Sequence, residues 1–344
     1  MNRKISVIGG GSWGTALAKI LASNKYEVLI YVRNEKLKED INKRNINTSY
    51  FPDIKLPKNI KATNNIKNAV KNADHIVVAV PTDVTRKIIN RINPYLYDEQ
   101  ILISTAKGIE ENTHMRNTEI IENITENEVV ALSGPTHAEE VIKGLPSAAV
   151  IAGKNKNTAQ QVQDFFMSKT FRVYTNPDIV GVEMGGAIKN IIAIAAGITD
   201  GLGYGDNTMA ALITRGLTEI SRLGSYFDSK LLTYAGLSGM GDLVVTCTSK
   251  HSRNRRFGYN IGKGMEFDEA LKKVGQAVEG IKTTRAVHQW MKKENFNFEL
   301  PITTEIYNVL FKNKDPLRAV DDLMLRGPKH EMEEVVDEQD WKIK

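Results

Sequence analysis

The stretch Ile5-Ser6-Val7-Ile8-Gly9-Gly10-Gly11-Ser12-Trp13-Gly14 decides the fold of this chain. A short β-branched run breaks into G-x-G-x-x-G, and the helix-favouring residues Thr15-Ala16-Leu17-Ala18-Lys19-Ile20-Leu21-Ala22 follow. Gly9 permits the tight turn, Gly11 lets the backbone approach a pyrophosphate, and Gly14 allows close packing of helix on strand. The free N–H groups of the helix start then face the phosphates. Three glycines alone could equally be a structural turn. Strand before, helix after and a second β-type run at residues 27–32 supply the context of a dinucleotide site.

Outward from that motif, strands are expected at residues 4–8, 27–32, 76–80, 101–105, 129–133, 148–152 and 172–174. Helices are expected at residues 15–23, 66–72, 84–92, 115–124, 137–143 and 159–167. This alternation implies an α/β, Rossmann-type domain with a mostly parallel sheet and helices on both faces. Past Pro177 the texture changes. Residues 182–202, 208–224, 267–274, 282–294 and 303–311 read as helices without strands between them. The expected division is a dinucleotide-binding domain over residues 1–180 and an all-α domain over residues 181–344. The highly charged tail from His330 to Lys344 reads as loosely ordered.

The chain has 344 residues, enough for two domains, and its 41% hydrophobic and 25% charged content is that of a globular protein. A net charge of +5, from 46 basic and 41 acidic residues, suits small anions and is not the footprint of a nucleic-acid binder. Cys247 is the only cysteine, which rules out an internal disulfide and fits a reducing compartment. The apolar run after Arg3 and Lys4 stops at Gly9, too early for a signal peptide. Residues 191–198 are apolar over only eight positions, against roughly 20 needed to cross a bilayer. A cytoplasmic protein without membrane insertion is the expectation, and no metal site is expected.

In an open parallel sheet, ligands bind beyond the carboxyl ends of the strands. The loops leaving that edge contain Gly9–Gly14, Pro81-Thr82, Ala106-Lys107-Gly108 and Gly134-Pro135-Thr136. Lys107 directly follows a strand and should point to the cofactor crevice, although a lone lysine there can be a solvated surface residue. Thr136 reads as an N-cap opening a helix, a role compatible with anion binding. Arg33, 19 residues beyond Gly14, stands where NAD-specific sites carry an acidic residue. Its guanidinium can pair with a 2′-phosphate or stack on adenine, while neighbouring Glu35 keeps NAD in play.

In the helical half, Gly185-Gly186-Ala187-Ile188-Lys189-Asn190-Ile191-Ile192 puts one lysine inside an apolar helix. A snorkelling lysine is the bland reading. A desolvated lysine near a second cation instead has a lowered pKa and can act as general base near neutral pH. Asn190 beside it could orient a substrate. Gly236-Leu237-Ser238-Gly239-Met240-Gly241-Asp242-Leu243, then Thr246 and Ser252-Arg253-Asn254-Arg255-Arg256, suggest a shaped turn between helices and a basic cluster. That cluster could be a solvated face or, with Phe257 and Tyr259, a nucleic-acid patch. A small phosphate-bearing substrate explains it more economically.

With these residues in hand, the chain resembles the bacterial NAD(P)-dependent glycerol-3-phosphate dehydrogenases over about residues 4 to 328. The resemblance rests on GGGSWGTALA at 9–18, STAKGIE at 104–110, LSGPTHAEEV at 132–141 and GGAIKNIIAIAAGI at 185–198. GLSGMGDLVVTC at 236–247, SRNRRFG at 252–258 and GQAVEG at 275–280 complete the order. It implies interconversion of dihydroxyacetone phosphate and sn-glycerol 3-phosphate, using NADPH or NADH and supplying phospholipid synthesis. By the resemblance, Ser12, Trp13, Arg33, Lys107, Ala138, Arg253, Ala277 and Glu279 contact the cofactor. Lys107, Gly134, Thr136, Lys189, Asp242, Ser252, Arg253 and Asn254 contact the substrate, and Lys189 is the proton acceptor. Thr136 stands where serine is frequent and Ala277 where a larger aliphatic is frequent.

A hydroxy-acid dehydrogenase on a similar plan is the competing enzyme, and it would bind a carboxylate without needing a phosphate. An NADPH-sensing regulator is the non-catalytic alternative, but it has no reason to keep Lys107, Lys189, Asp242 and Arg253 together. The sequence leaves the oligomeric state open, with a homodimer as the assembly considered.

Overall fold

A computed structural model describes residues 4–294, 296–329 and 331. The strands are β1 (Lys4–Ile8), β2 (Glu27–Tyr31), β3 (Ile46–Asn47), β4 (Phe51–Lys55) and β5 (Ile60–Thr63). They continue as β6 (His75–Val78), β7 (Ile101–Ser104), β8 (Val129–Ser133), β9 (Ser147–Ala152) and β10 (Phe171–Asn176). Eight of them form one sheet in the order β10-β9-β8-β7-β6-β1-β2-β5, and β3 and β4 make a separate antiparallel pair. Every pairing in the large sheet is parallel except β8 with β9.

The chain builds outward from β1 through β2 to β5, then returns to the other side of β1 with β6. The strand order therefore reverses between β1 and β6, and the crevice at their carboxyl ends is the topological switch point. Helices α1 (Ser12–Ser23), α2 (Glu35–Glu39), α3 (Ile66–Lys71) and α4 (Thr82–Ile92) belong to this first half. They are followed by α5 (Asn117–Glu122), α6 (Ala138–Val141) and α7 (Lys156–Phe166). α1 turns Ala16, Leu17, Ile20 and Leu21 onto the sheet, which is why its apolar residues recur at helical spacing. Strands β6, β7 and β8 are buried along their whole length, as a sheet covered on both faces requires.

The expected helices of the sheet half hold with shifted bounds: α1, α4 and α7 begin two or three residues earlier, whereas α3, α5 and α6 are shorter than expected. Residues 60–63 were not expected as a strand, because Ile60-Lys61-Ala62-Thr63 is too short and mixed to stand out. The β3–β4 pair was also missed. The expected helix opening at Thr136 starts later: His137 is the residue before α6, and the Thr136 hydroxyl donates to the Gly134 carbonyl at 3.1 Å. Thr136 is therefore not an N-cap.

After β10 the chain is helical: α8 (Ile179–Leu202), α9 (Asp206–Ser225), α10 (Leu231–Tyr234), α11 (Asp242–Thr248) and α12 (Arg253–Gly262). Then come α13 (Phe267–Val274), α14 (Glu279–Glu294), α15 (Pro301–Phe311) and α16 (Pro316–Met324). α8 is the axle. Asp178 caps it, accepting from Gly181 N–H at 2.8 Å, and it is buried on nearly every side. By length and composition this helix could cross a membrane, which the short apolar run counted in the sequence understates. Yet 94% of its most apolar window is buried inside the protein, so it serves as core.

α12 crosses α8 at close range. A Cβ on Gly197 would lie 2.0 Å from the Arg255 carbonyl, and one on Gly258 would lie 2.0 Å from that of Ile194. Small residues on both helices bring the backbones together. Glu183 near the start of α8 joins the halves: it accepts from Arg116 Nη1 at 2.6 Å and from Thr118 N–H at 2.9 Å. The charged tail from His330 to Lys344 lies outside the described residues, apart from Glu331.

Candidate active site

The glycine loop closes the carboxyl end of β1 at the switch point. Gly9 adopts φ +125°, which only glycine takes readily, and a Cβ on Gly14 would lie 2.0 Å from the Gly9 carbonyl. Apart from its chain neighbours, no atom of the described residues lies within 4 Å of where a Gly11 Cβ would stand, so the loop is open at the start of α1. Ser12 and Trp13 form the first turn of α1, and the buried Trp13 indole N–H has no partner among the described residues. Free N–H groups at a helix start, beside an open glycine cradle, fit a pyrophosphate.

Arg33 stands at the end of β2, exposed and without an ion-pair partner among the described residues. Asn34 next to it caps α2, accepting from Leu37 N–H at 3.0 Å. The Glu35 carboxylate is held by Lys38 and by the Asn64 amide. The acidic neighbour is thus committed elsewhere, and the free charge at this edge is the guanidinium.

The two lysines meet on one carboxylate. Lys107 leaves β7 and lays its stem across Gly186 of α8, where a Cβ would meet Lys107 Cγ at 3.5 Å and crowd Ser133 Oγ at 2.8 Å. Its Nζ donates to the Gly134 carbonyl at 2.8 Å and to Asp242 Oδ2 at 2.7 Å. Lys189, 5% exposed, donates to Asp242 Oδ1 and to Thr246 Oγ1, the latter at 2.8 Å. An ammonium has three N–H donors, so each lysine keeps one for a ligand. Two cations against one carboxylate leave the cluster with a net positive charge suited to an anionic substrate.

Burial lowers the Lys189 ammonium to about 8; Asp242 opposes that shift and Lys107 adds to it. For Asp242, burial works upward, but the two ammonium groups and their hydrogen bonds together bring the carboxyl below its ordinary value. Burial, then the charges of Lys189 and Lys107, lowers the pKa of His137 beside this cluster.

The basic cluster at 252–256 is the start of a helix, which sequence reading did not expect. Ser252 caps α12, its hydroxyl accepting from Arg255 N–H at 3.2 Å, and leaves the N–H groups of Arg253 and Asn254 in the first turn. Asn254 Nδ2 donates to Asn190 Oδ1 at 2.9 Å, while Asn254 Oδ1 accepts from Gly280 N–H at 2.9 Å. Asn190 Nδ2 in turn donates to the Lys107 carbonyl at 3.0 Å. This chain ties the β7 loop to α8, α12 and α14. Arg253 is half-buried and has no ion-pair partner among the described residues.

Glu279 opens α14, and burial raises its carboxyl, against the pull of Arg253, Lys189 and Lys107. A cavity of about 520 Å³ adjoins it, lined in part by Thr82, Gly108 and Thr283, with the Asp83–Lys282 ion pair at its rim. Ala277 lies exposed two residues before Glu279, and Ala138 opens α6 beside the Gly134 loop. Arg33 and the glycine loop thus lie along one end of the crevice. Lys107, Gly134 and Thr136 come from the loops after β7 and β8, Lys189 and Asn190 from the middle of α8, and Asp242, Ser252, Arg253 and Asn254 from the starts of α11 and α12.

Thr246 appeared in the glycine-rich cluster without a role, yet it bonds Lys189 directly. Its signal was its spacing: four residues after Asp242, it shares a face of α11 and donates to the Asp242 carbonyl at 2.5 Å.

The chain matches the NAD-dependent glycerol-3-phosphate dehydrogenase N-terminus over residues 4–159 and the corresponding C-terminus over residues 178–321. It belongs to the NAD-dependent glycerol-3-phosphate dehydrogenase family. It is 62% identical over 341 residues to the glycerol-3-phosphate dehydrogenase [NAD(P)+] of Halothermothrix orenii, spanning 99% of this chain and all of that one. The Bacillus subtilis enzyme of that name is 46% identical over 346 residues, again 99% of this chain and all of that one. The crystal structure of glycerol-3-phosphate dehydrogenase from Coxiella burnetii superposes with a TM-score of 0.90 at 37% identity, covering 94% of this chain and 99% of that one. The dehydrogenase described here is accordingly an NAD(P)-dependent oxidoreductase that interconverts dihydroxyacetone phosphate and sn-glycerol 3-phosphate.

Proposed function

We propose that Lys189 transfers the proton in this reaction and that Asp242, gripping both Lys189 and Lys107, positions it. The carrying observation is that shared carboxylate: both oxygens of Asp242 are taken by the two ammonium groups. Held by its pyrophosphate on the glycine loop, the cofactor would supply or accept a hydride at substrate C2. In the reduction Lys189 gives its remaining proton to the oxygen on C2, and in the oxidation the neutral amine takes it back. Lys107 offers its own spare N–H to the same region, where negative charge develops on oxygen.

The phosphate reading rests on α12. The backbone N–H groups at its first turn and the Arg253 guanidinium suit a dianion, and Asn254 in the same turn is tied through Asn190 to the Lys107 loop. Ser252 keeps that turn capped, and Gly134, whose carbonyl accepts from both Lys107 and Thr136, belongs with Thr136 to the same substrate site. Glu279, Ala277, Ala138, Ser12 and Trp13 complete the proposed cofactor contacts.

Arg33 is the group that favours NADPH, because its charge is free while Glu35 is paired. The division into a dinucleotide domain over residues 1–180 and a helical domain over 181–344 belongs to the same proposal, as does cytoplasmic supply of glycerol 3-phosphate to phospholipid synthesis. Turnover and cofactor affinity measured side by side in a Lys189→Ala variant test the central assignment.

A further inference from the structure

Asn47 is wholly buried at the end of β3, and none of the roles above uses it. Its Nδ2 donates to the Gly10 carbonyl at 3.0 Å and to Thr15 Oγ1 at 2.7 Å. The Thr15 hydroxyl in turn donates to the Gly11 carbonyl at 2.8 Å, which also accepts from Thr15 N–H at 3.0 Å. A carbonyl can only accept, and the Thr15 proton is already used on Gly11. Both contacts of Asn47 therefore require its two amide hydrogens, which settles the orientation of the side chain.

The consequence falls on the loop backbone. In a trans peptide the C=O and the following N–H point in opposite directions. Drawing the Gly10 carbonyl inward toward Asn47 sends the Gly11 N–H outward. Drawing the Gly11 carbonyl onto Thr15 does the same for Ser12 N–H. Those are the donors at the open mouth of the loop, where, beyond the chain neighbours, no atom of the described residues stands within 4 Å of a would-be Gly11 Cβ. The hairpin carrying Asn47 is itself anchored, since the Thr48 hydroxyl donates to Asp40 Oδ2 at 2.6 Å in the segment that follows Arg33 and α2.

We propose that Asn47, acting with Thr15, is a positioning residue that presets the glycine loop N–H groups for the cofactor pyrophosphate. The proposal rests on the glycine loop being the pyrophosphate cradle. Its effect is on cofactor affinity, because a loop free to turn its carbonyls outward must be reordered each time the cofactor binds.

The test is NADPH affinity by fluorescence titration, with the Michaelis constants for NADPH and dihydroxyacetone phosphate and the melting temperature of each variant. Asn47→Asp keeps the shape but sets acceptors against acceptors, and Thr15→Val removes the hydroxyl. Both should raise the NADPH dissociation constant by on the order of tenfold, the scale of one lost buried hydrogen bond. The Michaelis constant for dihydroxyacetone phosphate should not follow. Thr15→Ser retains the hydroxyl and should restore affinity. If Asn47→Asp does not fold, the Thr15→Val and Thr15→Ser pair decides alone. Folded variants with lowered melting temperature but unaltered NADPH affinity would make Asn47 a merely structural residue and overturn the proposal. Gly11→Val separates the underlying reading: if it too leaves NADPH affinity intact, the loop is not the cradle; if it abolishes binding while Asn47→Asp and Thr15→Val do not, only the proposal fails.

Discussion

Asp242 accepts a hydrogen bond from the buried Lys189 ammonium through one carboxylate oxygen and leaves that lysine a further hydrogen bond to Thr246. The amine is thereby aimed as well as charged. Lys189→Ala should cut turnover by about 10² or more, the ordinary range for a general acid–base group, with NADPH binding retained. Lys189→Arg should recover little, since a guanidinium holds its proton. Near-wild-type turnover in the alanine variant would move the role to Lys107.

The two reaction directions should respond oppositely to pH. Lys189 titrates at about 8, because burial lowers it. Reduction of dihydroxyacetone phosphate needs the ammonium, so kcat/KM should fall as pH rises through that value. Oxidation of glycerol 3-phosphate needs the free amine and should rise over the same range. Profiles with the same slope in both directions would contradict the assignment.

Arg33 carries a separate prediction about the cofactor. Arg33→Asp should weaken NADPH by roughly 1.5–3 kcal/mol, the value of a charge-assisted contact, and leave NADH much less affected. Kinetics with the two cofactors measure this directly. An equal change in both would remove Arg33 from the 2′-phosphate.

Arg253→Ala should raise the Michaelis constant for dihydroxyacetone phosphate strongly and also impair NADPH use, because Arg253 opens the first turn of α12 and its charge acts on Glu279. Unphosphorylated dihydroxyacetone is the control. An unchanged constant for the phosphorylated substrate would place the phosphate elsewhere.

A stability prediction concerns Glu219, remote from the chemistry. It is 2% exposed and accepts from Ile302 N–H, from Thr303 N–H at 3.1 Å and from the Thr303 hydroxyl at 2.8 Å, which makes it the cap of α15. Glu219→Ala leaves those donors buried without an acceptor and should cost roughly 2–4 kcal/mol in urea unfolding. A loss under about 0.5 kcal/mol, the scale of an ordinary surface substitution, would mean that water replaces the carboxylate.

Much of the architecture was legible in local patterns. The β1–glycine–α1 unit, the buried runs of β6, β7 and β8 and the long apolar helix around Lys189 each carry their signal in consecutive residues. The misses share one cause. β5 exists because it pairs with β2 at the sheet edge, and the start of α12 reads as a run of charge until α8 is seen to take its other face. Thr136 looked like a cap from its neighbours alone, whereas the Gly134 carbonyl claims its hydroxyl.

The sequence by itself determined the dinucleotide fold, the change to helices after Pro177 and the inventory of polar groups in the right loops, because these depend on periodicity and local backbone chemistry. Only the tertiary structure decided which groups meet. Lys107 and Asp242 are 135 residues apart, and Asn47 lies 37 residues from the Gly10 carbonyl it holds. Hydrogen bonds act over about 3 Å, so pairings across such separations are set by how sheet and helices pack.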